Sequence, residues 1–204
     1  MAKKVKGQKM AVGFLLDETG SMGVVKQQTI DGFNKYVETL RLGENADAIR
    51  FTLTKFNSEK TEVVHDGVKL RKVASLTNET YQPAALTPLY DAIGQIVRSM
   101  EESGESNNVL VVIQTDGQEN HSREFDRKSI FDLIDEKKEK GWTFVFLGAD
   151  QDAWLTGQSL GISRGNVMSY DSVKTYATFV SVANSTTSWS ANSWSQTDRF
   201  FSGA

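Results

Sequence analysis

Three stretches of this chain are apolar at nearly every position: Met10-Ala-Val-Gly-Phe-Leu-Leu16, Val109-Leu-Val-Val-Ile113 and Trp142-Thr-Phe-Val-Phe-Leu-Gly148. Short runs of this kind can bury both faces when they pass through the middle of a parallel sheet covered by helices on each side. The sequence between them has the helical step. Ile30, Phe33, Val37 and Leu40 recur every three or four residues up to Leu42-Gly43. Leu89, Ile93, Ile96, Val97 and Met100 do the same after Thr87-Pro88, where a proline behind a hydroxyl residue predicts a helix start. A third helix is expected from about Glu124 to Lys140, with Ile130, Phe131 and Ile134 inward and Gly141 at its end. A short helix around 153–160, a short strand near 166–169 and a last helix from Asp171 to about Ala183 complete the pattern. Ile49–Phe56 is a further strand, and Thr61–His65 is expected to return antiparallel to it. Asp66-Gly67 is expected to turn the chain again before an extended 68–73. Alternating strands and helices define an α/β class: a three-layer sandwich, its sheet mostly parallel with one antiparallel edge strand, helices on both faces.

The 204 residues suit one domain, long enough to bury roughly 70% of the surface of the unfolded chain. The expected division is a basic leader at 1–9, with Lys3, Lys4, Lys6 and Lys9, a domain at 10–183, and a tail or arm at 184–204. The tail is rich in Ser, Thr and Asn and carries Trp189, Trp194, Phe200 and Phe201 without helical or alternating spacing. Four large aromatics are more than a purely solvated tail carries, so self-association through this arm is a possible use of it. Lys and Arg number 23 against 26 Asp and Glu, net −3, which gives no global attraction to nucleic acid or membrane. The apolar runs are far shorter than the roughly 20 residues of a spanning helix. The run after the N-terminal lysines stops at Asp17 without a small-residue cleavage pattern, so a cytoplasmic location, or a virion assembled there, is expected.

With no cysteine, thiolate chemistry, iron–sulfur clusters and Cys-based zinc sites are excluded, and with only His65 and His121, far apart in sequence, a zinc site would need carboxylate help. Any metal must be held mainly by oxygen. Two loops expected at the carboxyl ends of central strands, where ligands bind in open α/β sheets, are unusually polar. Asp17-x-Thr19-x-Ser21 follows the first strand and Thr115-Asp116-Gly117 the second buried one, while Leu86-Thr87-Pro88-Leu89-Tyr90-Asp91 adds a hydroxyl at a helix start. Asp17, Thr19, Ser21, Thr87 and Asp116 could converge as an oxygen-only site with two carboxylates, suited to Mg²⁺ or Mn²⁺. Such a site would welcome a carboxylate from another protein as its last ligand. Taken singly, Ser21 and Thr87 read as helix caps worth about 1 kcal/mol each, and Asp116-Gly117 as a turn. Their joint placement at the ends of the right elements favours the site.

These three segments, in type and order, resemble the von Willebrand factor type A family and its metal-ion-dependent adhesion site. The resemblance covers roughly residues 9–180. It implies a Rossmann-like sheet flanked by helices and divalent-metal-dependent protein binding. It implies further that Ser21 and Thr87 ligate the metal directly, with Asp17 and Asp116 holding it mainly through waters. Thr19 falls where the family usually has Ser, and Glu18 and Gln118 fall at variable positions. The segment Phe14–Met22 is similar to that of bacterial and phage members. Glu18, Met22, Gln118, Glu119 and His121 are expected to line the partner-binding rim.

Catalysis is not expected. Gly20 and Gly23 lack phosphate-loop spacing, no G-x-G-x-x-G follows a strand, and no G-x-S-x-G occurs. The alternatives are an assembly component associating through the C-terminal arm and, more weakly, a metal-dependent hydrolase or phosphotransferase.

Overall fold

The computed structural model describes residues 9–104, 108–116, 118–149, 153–170, 174–191 and 198–201. The leader before Lys9 lies outside them, as do Gly117, Asp171 and Trp194. Six strands form one sheet: β1 Met10–Asp17, β2 Ile49–Phe56, β3 Thr61–Lys69, β4 Val109–Thr115, β5 Thr143–Ala149 and β6 Val167–Tyr170. Their spatial order is β3-β2-β1-β4-β5-β6, with every pairing parallel except β2 with β3. The helices are α1 Lys26–Leu42, α2 Leu89–Glu102, α3 Arg127–Glu139, α4 Ala153–Ser159 and α5 Thr175–Ala191.

Period-two alternation sorts the central strands between two cores. Val12, Phe14 and Leu16 of β1, with Leu110 and Val112 of β4, pack under α1 and α5 against Phe33, Tyr36 and Phe179. Ala11 and Leu15, with Val109, Val111 and Ile113, pack under α2, α3 and α4 against Ile93, Ile96 and Ile134. Both faces are therefore apolar, as a central strand of a covered parallel sheet requires. The α1–α5 contact is close. A methyl group at Gly32 of α1 would lie 2.4 Å from the Phe179 ring. Alanine ordinarily improves a helix interior over glycine by about 1 kcal/mol. Here overpacking outweighs that gain, and Gly32→Ala is expected to destabilise by about 1–2 kcal/mol, read as a lower urea midpoint at unchanged slope.

Several boundaries differ from the sequence reading, each for a physical reason. Asp66-Gly67 does not end a strand: β3 runs on to Lys69 through register shifts against β2, with Gly67 at φ +52 and its N–H on the Thr52 hydroxyl at 3.0 Å. That geometry is a bulge, which absorbs the turn-forming dipeptide without breaking the ladder. Pro88 is the residue before α2 rather than its first residue, and no side chain of Thr87 or Pro88 caps it. Phe131 turns outward and is half-exposed, its ring beside Gly161. The tail reading needs the largest correction. The last helix runs to Ala191, Trp189 is buried, and Phe200 is 5% exposed within the α1–α5 core. The described part of 184–204 thus belongs to the domain.

Candidate metal centre

β1 and β4 are neighbours, while the connections leaving them carry the chain toward opposite edges of the sheet. Their carboxyl ends form the crevice where such sheets bind ligands. Asp17 is the last residue of β1, and Asp116 directly follows β4. Between Asp17 and α1 the chain makes a 3-10 turn, Gly20–Val25, which holds Ser21 over the crevice. The Ser21 hydroxyl donates to Asp116 Oδ1 at 2.7 Å and lies 3.2 Å from the Thr19 hydroxyl. Asp17 Oδ1 accepts from the Thr19 N–H at 2.7 Å, and its Oδ2 from the Thr115 hydroxyl at 2.5 Å. The Asp17 carbonyl accepts the buried Tyr81 hydroxyl at 2.5 Å, which fixes the backbone at the turn.

Thr87 comes from the long coil between β3 and α2. Its N–H donates to Asn120 Oδ1 at 2.8 Å, and its carbonyl accepts the Asn120 N–H at 3.1 Å. Two residues before it, the Ala85 carbonyl accepts the Gly20 N–H at 3.1 Å. The coil is thereby tied both to the Ser21 turn and to the loop after Asp116. Thr87 is 3% exposed, and its hydroxyl has no hydrogen-bond partner among the described residues. So Asp17, Thr19, Ser21 and Asp116 are linked in one chain of hydrogen bonds, and Thr87 joins their loop cluster through backbone bonds.

The electrostatics are one-sided. Asp17 is fully buried and has no basic partner among the described residues. Burial pushes its carboxyl up to about 6, the negative charge of Asp116 adds to the rise, and the bonds from Thr115 and Thr19 oppose it. A buried carboxylate is normally paired or bound to a metal. Among the described residues no three carboxylates or imidazoles group to hold an ion. The cluster offers two carboxylates and hydroxyls instead, a donor set that fits a small hard cation.

The rim differs from expectation at three positions. Glu18 is 2% exposed, because its carboxylate is drawn inward to Lys55 at 3.1 Å. Met22 is fully buried in the α1–α5 core, beside the Gln114 amide. Neither side chain reaches the surface on which the rim was expected. Glu119 spends both carboxylate oxygens inside the loop: Oε1 accepts the N–H groups of His121 and Ser122, and Oε2 those of Tyr90 and the Ser122 hydroxyl. It therefore satisfies an amide at the start of α2, the task that sequence reading gave to Thr87. Asp91 reciprocates by accepting the N–H groups of Arg123, Glu124 and Phe125. Gln118 is exposed, and half-buried His121 has its Nε2 3.4 Å from the Arg123 guanidinium. No spacing rule identifies Glu119 and Asp91 as a reciprocal brace, since the two lie far apart in sequence.

A covered parallel sheet with an oxygen cluster at its β1–β4 crevice is the class that the fold and site define. The von Willebrand factor type A domain model matches residues 11–184, and the chain belongs to that family. Many members of it mediate protein–protein and adhesive interactions. A search of the curated proteins finds no match. Among solved structures, the vWF domain of the type V pili tip protein Mfa5 from Porphyromonas gingivalis aligns with TM-score 0.67 and 12% identity over 88% of this chain and 95% of that one. The manganese-loaded TRAP protein of Plasmodium vivax aligns with TM-score 0.57 and 15% identity over 85% and 74%. The proximal thread matrix protein 1 of the mussel byssus aligns with TM-score 0.65 and 11% identity over 85% of this chain, which spans 46% of that protein's length. At these identities the likeness is one of fold.

Proposed function

We propose that the loop cluster binds Mg²⁺ or Mn²⁺ and that the chain is a cation-dependent protein-binding module whose partner completes the site with an Asp or Glu. The observation that carries this reading is the Asp17 carboxylate, buried beside a second carboxylate without a basic neighbour. The unpartnered Thr87 hydroxyl supports it. Ser21 and Thr87 would offer hydroxyl oxygens to the ion. Asp17 and Asp116 would supply the charge, Asp17 with its oxygens oriented by Thr19 and Thr115. The ion would supply a Lewis-acidic position open to an external carboxylate. Binding is favoured over catalysis because among the described residues no hydroxyl hydrogen-bonds an imidazole, and the one histidine of the loop cluster faces Arg123. That the Plasmodium vivax protein of this fold is manganese-loaded adds support by analogy.

The test uses two readouts. Millimolar Mg²⁺ or Mn²⁺ is expected to raise the melting temperature, and EDTA to reverse the rise. Immobilised peptides carrying Asp or Glu are expected to retain the protein only with the ion present, and their Asn or Gln counterparts to release it. A melting temperature indifferent to both cations overturns the reading.

A further inference from the structure

The backbone between Val73 and Leu89 is neither helix nor strand, yet it must hold Thr87 against the crevice. Lys55 explains how. It stands one residue before the end of β2, its side chain only 6% exposed. Its ammonium is 3.1 Å from Glu18 Oε1, 2.6 Å from the Thr80 carbonyl and 3.3 Å from Glu62 Oε2. Three acceptors meet its three N–H donors, so no donor of the buried side chain is left unpaired. Glu18 Oε1 also accepts the Gln82 N–H at 2.6 Å, and the Glu18 carbonyl accepts that of Ala84 at 3.0 Å. With the Gly20-to-Ala85 bond, residues 80–85 are laid along residues 18–20.

At the end of this contact Ala85 has φ +64. A residue with a Cβ keeps that conformation only where its surroundings over-determine it. Leu86 is then fastened to Ser58, its N–H on the Ser58 hydroxyl at 3.0 Å and its carbonyl on the Ser58 N–H at 2.9 Å. Thr87 follows.

We infer that Lys55 and Glu18 are positioning residues for the metal centre: their buried ion pair fixes the 80–87 coil, and with it the Thr87 hydroxyl, relative to Asp17 and Ser21. The inference rests on the metal-site reading for its consequence and on the coil geometry for its cause. It also accounts for Glu18 facing inward at a position beside the site, where a free carboxylate would otherwise compete for the cation.

An apolar residue in place of one partner alone strands a buried charge and disturbs folding generally, so the test is the double variant Glu18→Met, Lys55→Met, compared with Glu18→Gln, in which Lys55 keeps the Glu62 carboxylate and the Thr80 carbonyl as partners. The double variant is expected to melt near the parent temperature, because an apolar pair of similar volume replaces the ions. In metal-free protein the amides of Gln82 and Ala84 are expected to exchange hydrogen at least about tenfold faster, a local opening that leaves the sheet amides protected. Its Mn²⁺ dissociation constant is expected to rise by about tenfold or more, the loss typical when a group that orients a ligand is removed. Glu18→Gln keeps an oxygen acceptor for Gln82 and is expected to recover most of both effects. If the double variant does not fold, Gln82→Pro removes the donated bond without touching a charge and is expected to weaken Mn²⁺ in the same direction. Parent-like exchange, or faster exchange with parent-like Mn²⁺ affinity, overturns the positioning role. A parent protein that binds no Mn²⁺ overturns the metal-site reading instead, and the exchange rates then decide alone whether the ion pair holds the coil.

Discussion

Asp17→Asn is expected to make the metal-free protein more stable at pH 7 while abolishing its response to Mg²⁺ and Mn²⁺. In the folded state burial raises the Asp17 carboxyl from 3.8 to about 6. A carboxylate with a raised folded pKa binds its proton more tightly folded than unfolded. Its ionisation therefore costs stability as pH climbs from about 4 to about 6, and the full cost persists above that. Two units correspond to about 3 kcal/mol at neutral pH and to nothing below pH 3, where both states are protonated. Asparagine keeps an oxygen for the Thr19 N–H and turns an amide toward the Thr115 hydroxyl, so the shape survives and the charge goes. The variant's advantage in EDTA should be largest at pH 7 and vanish on acidification. The parent should recover the difference when a cation is supplied: at a hundred times its dissociation constant an ion stabilises by about 2.7 kcal/mol. For a chain of this length that is roughly 5–10 °C in melting temperature. Thermal melts of both proteins in EDTA and in MnCl₂, at pH 4 and 7, check both halves. A parent more stable than Asp17→Asn in EDTA at pH 7 would show that the carboxylate is compensated by something other than a metal.

The core strands were legible because their burial is total. Met10–Leu16 and Val109–Ile113 have no polar face to disguise, and the helices between them carry the step that such a sheet needs on both sides. The candidate-site residues stood out for a related reason: hydroxyls and carboxylates at strand ends are conspicuous against apolar runs, and the structure links Asp17, Thr19, Ser21 and Asp116 by hydrogen bonds while Thr87 joins them only through its backbone bonds to the loop after Asp116. What escaped was set by long-range pairing. Glu18 looks like a rim residue until Lys55, 37 residues away, turns it inward. Phe131 sits one residue from Ile130 in an apolar pattern, but the turn of α3 leaves it beside Gly161 at the surface. The 3-10 turn at Gly20–Val25 merges in sequence with the helix behind it, and only its i to i+3 geometry separates Met22, pointing to the core, from Ser21, pointing to the crevice.

The C-terminal stretch shows the same limit at the scale of an element. Deleting residues 185–204 is expected to unfold the domain, whereas an external arm could be removed without thermal cost. Ser and Thr dominate the second half of α5, residues 184–191, so the apolar step of Phe179, Val182 and Ala183 fades there, yet those small side chains let it lie close on α1. The Thr186 hydroxyl is 3.1 Å from that of buried Tyr36, and the Ser190 carbonyl accepts the Asn45 amide at 2.7 Å. Further on, the Phe200 N–H donates to Asn166 Oδ1 at 2.9 Å and that of Phe201 to the Gly165 carbonyl at 3.1 Å, which seats Phe200 in the core. Loss of a buried Trp or Phe side chain costs about 3–5 kcal/mol each. Losing Trp189 and Phe200 together therefore removes an amount comparable to the whole stability of a domain, about 5–15 kcal/mol. A milder probe is Phe200→Ala alone, expected to cost about 3 kcal/mol and to lower the melting temperature by roughly 6–12 °C. Calorimetry with light scattering on the same samples separates the two roles. Destabilisation at unchanged mass places the aromatic residues in the fold of their own chain, and an unchanged melting temperature with reduced mass would place them between chains.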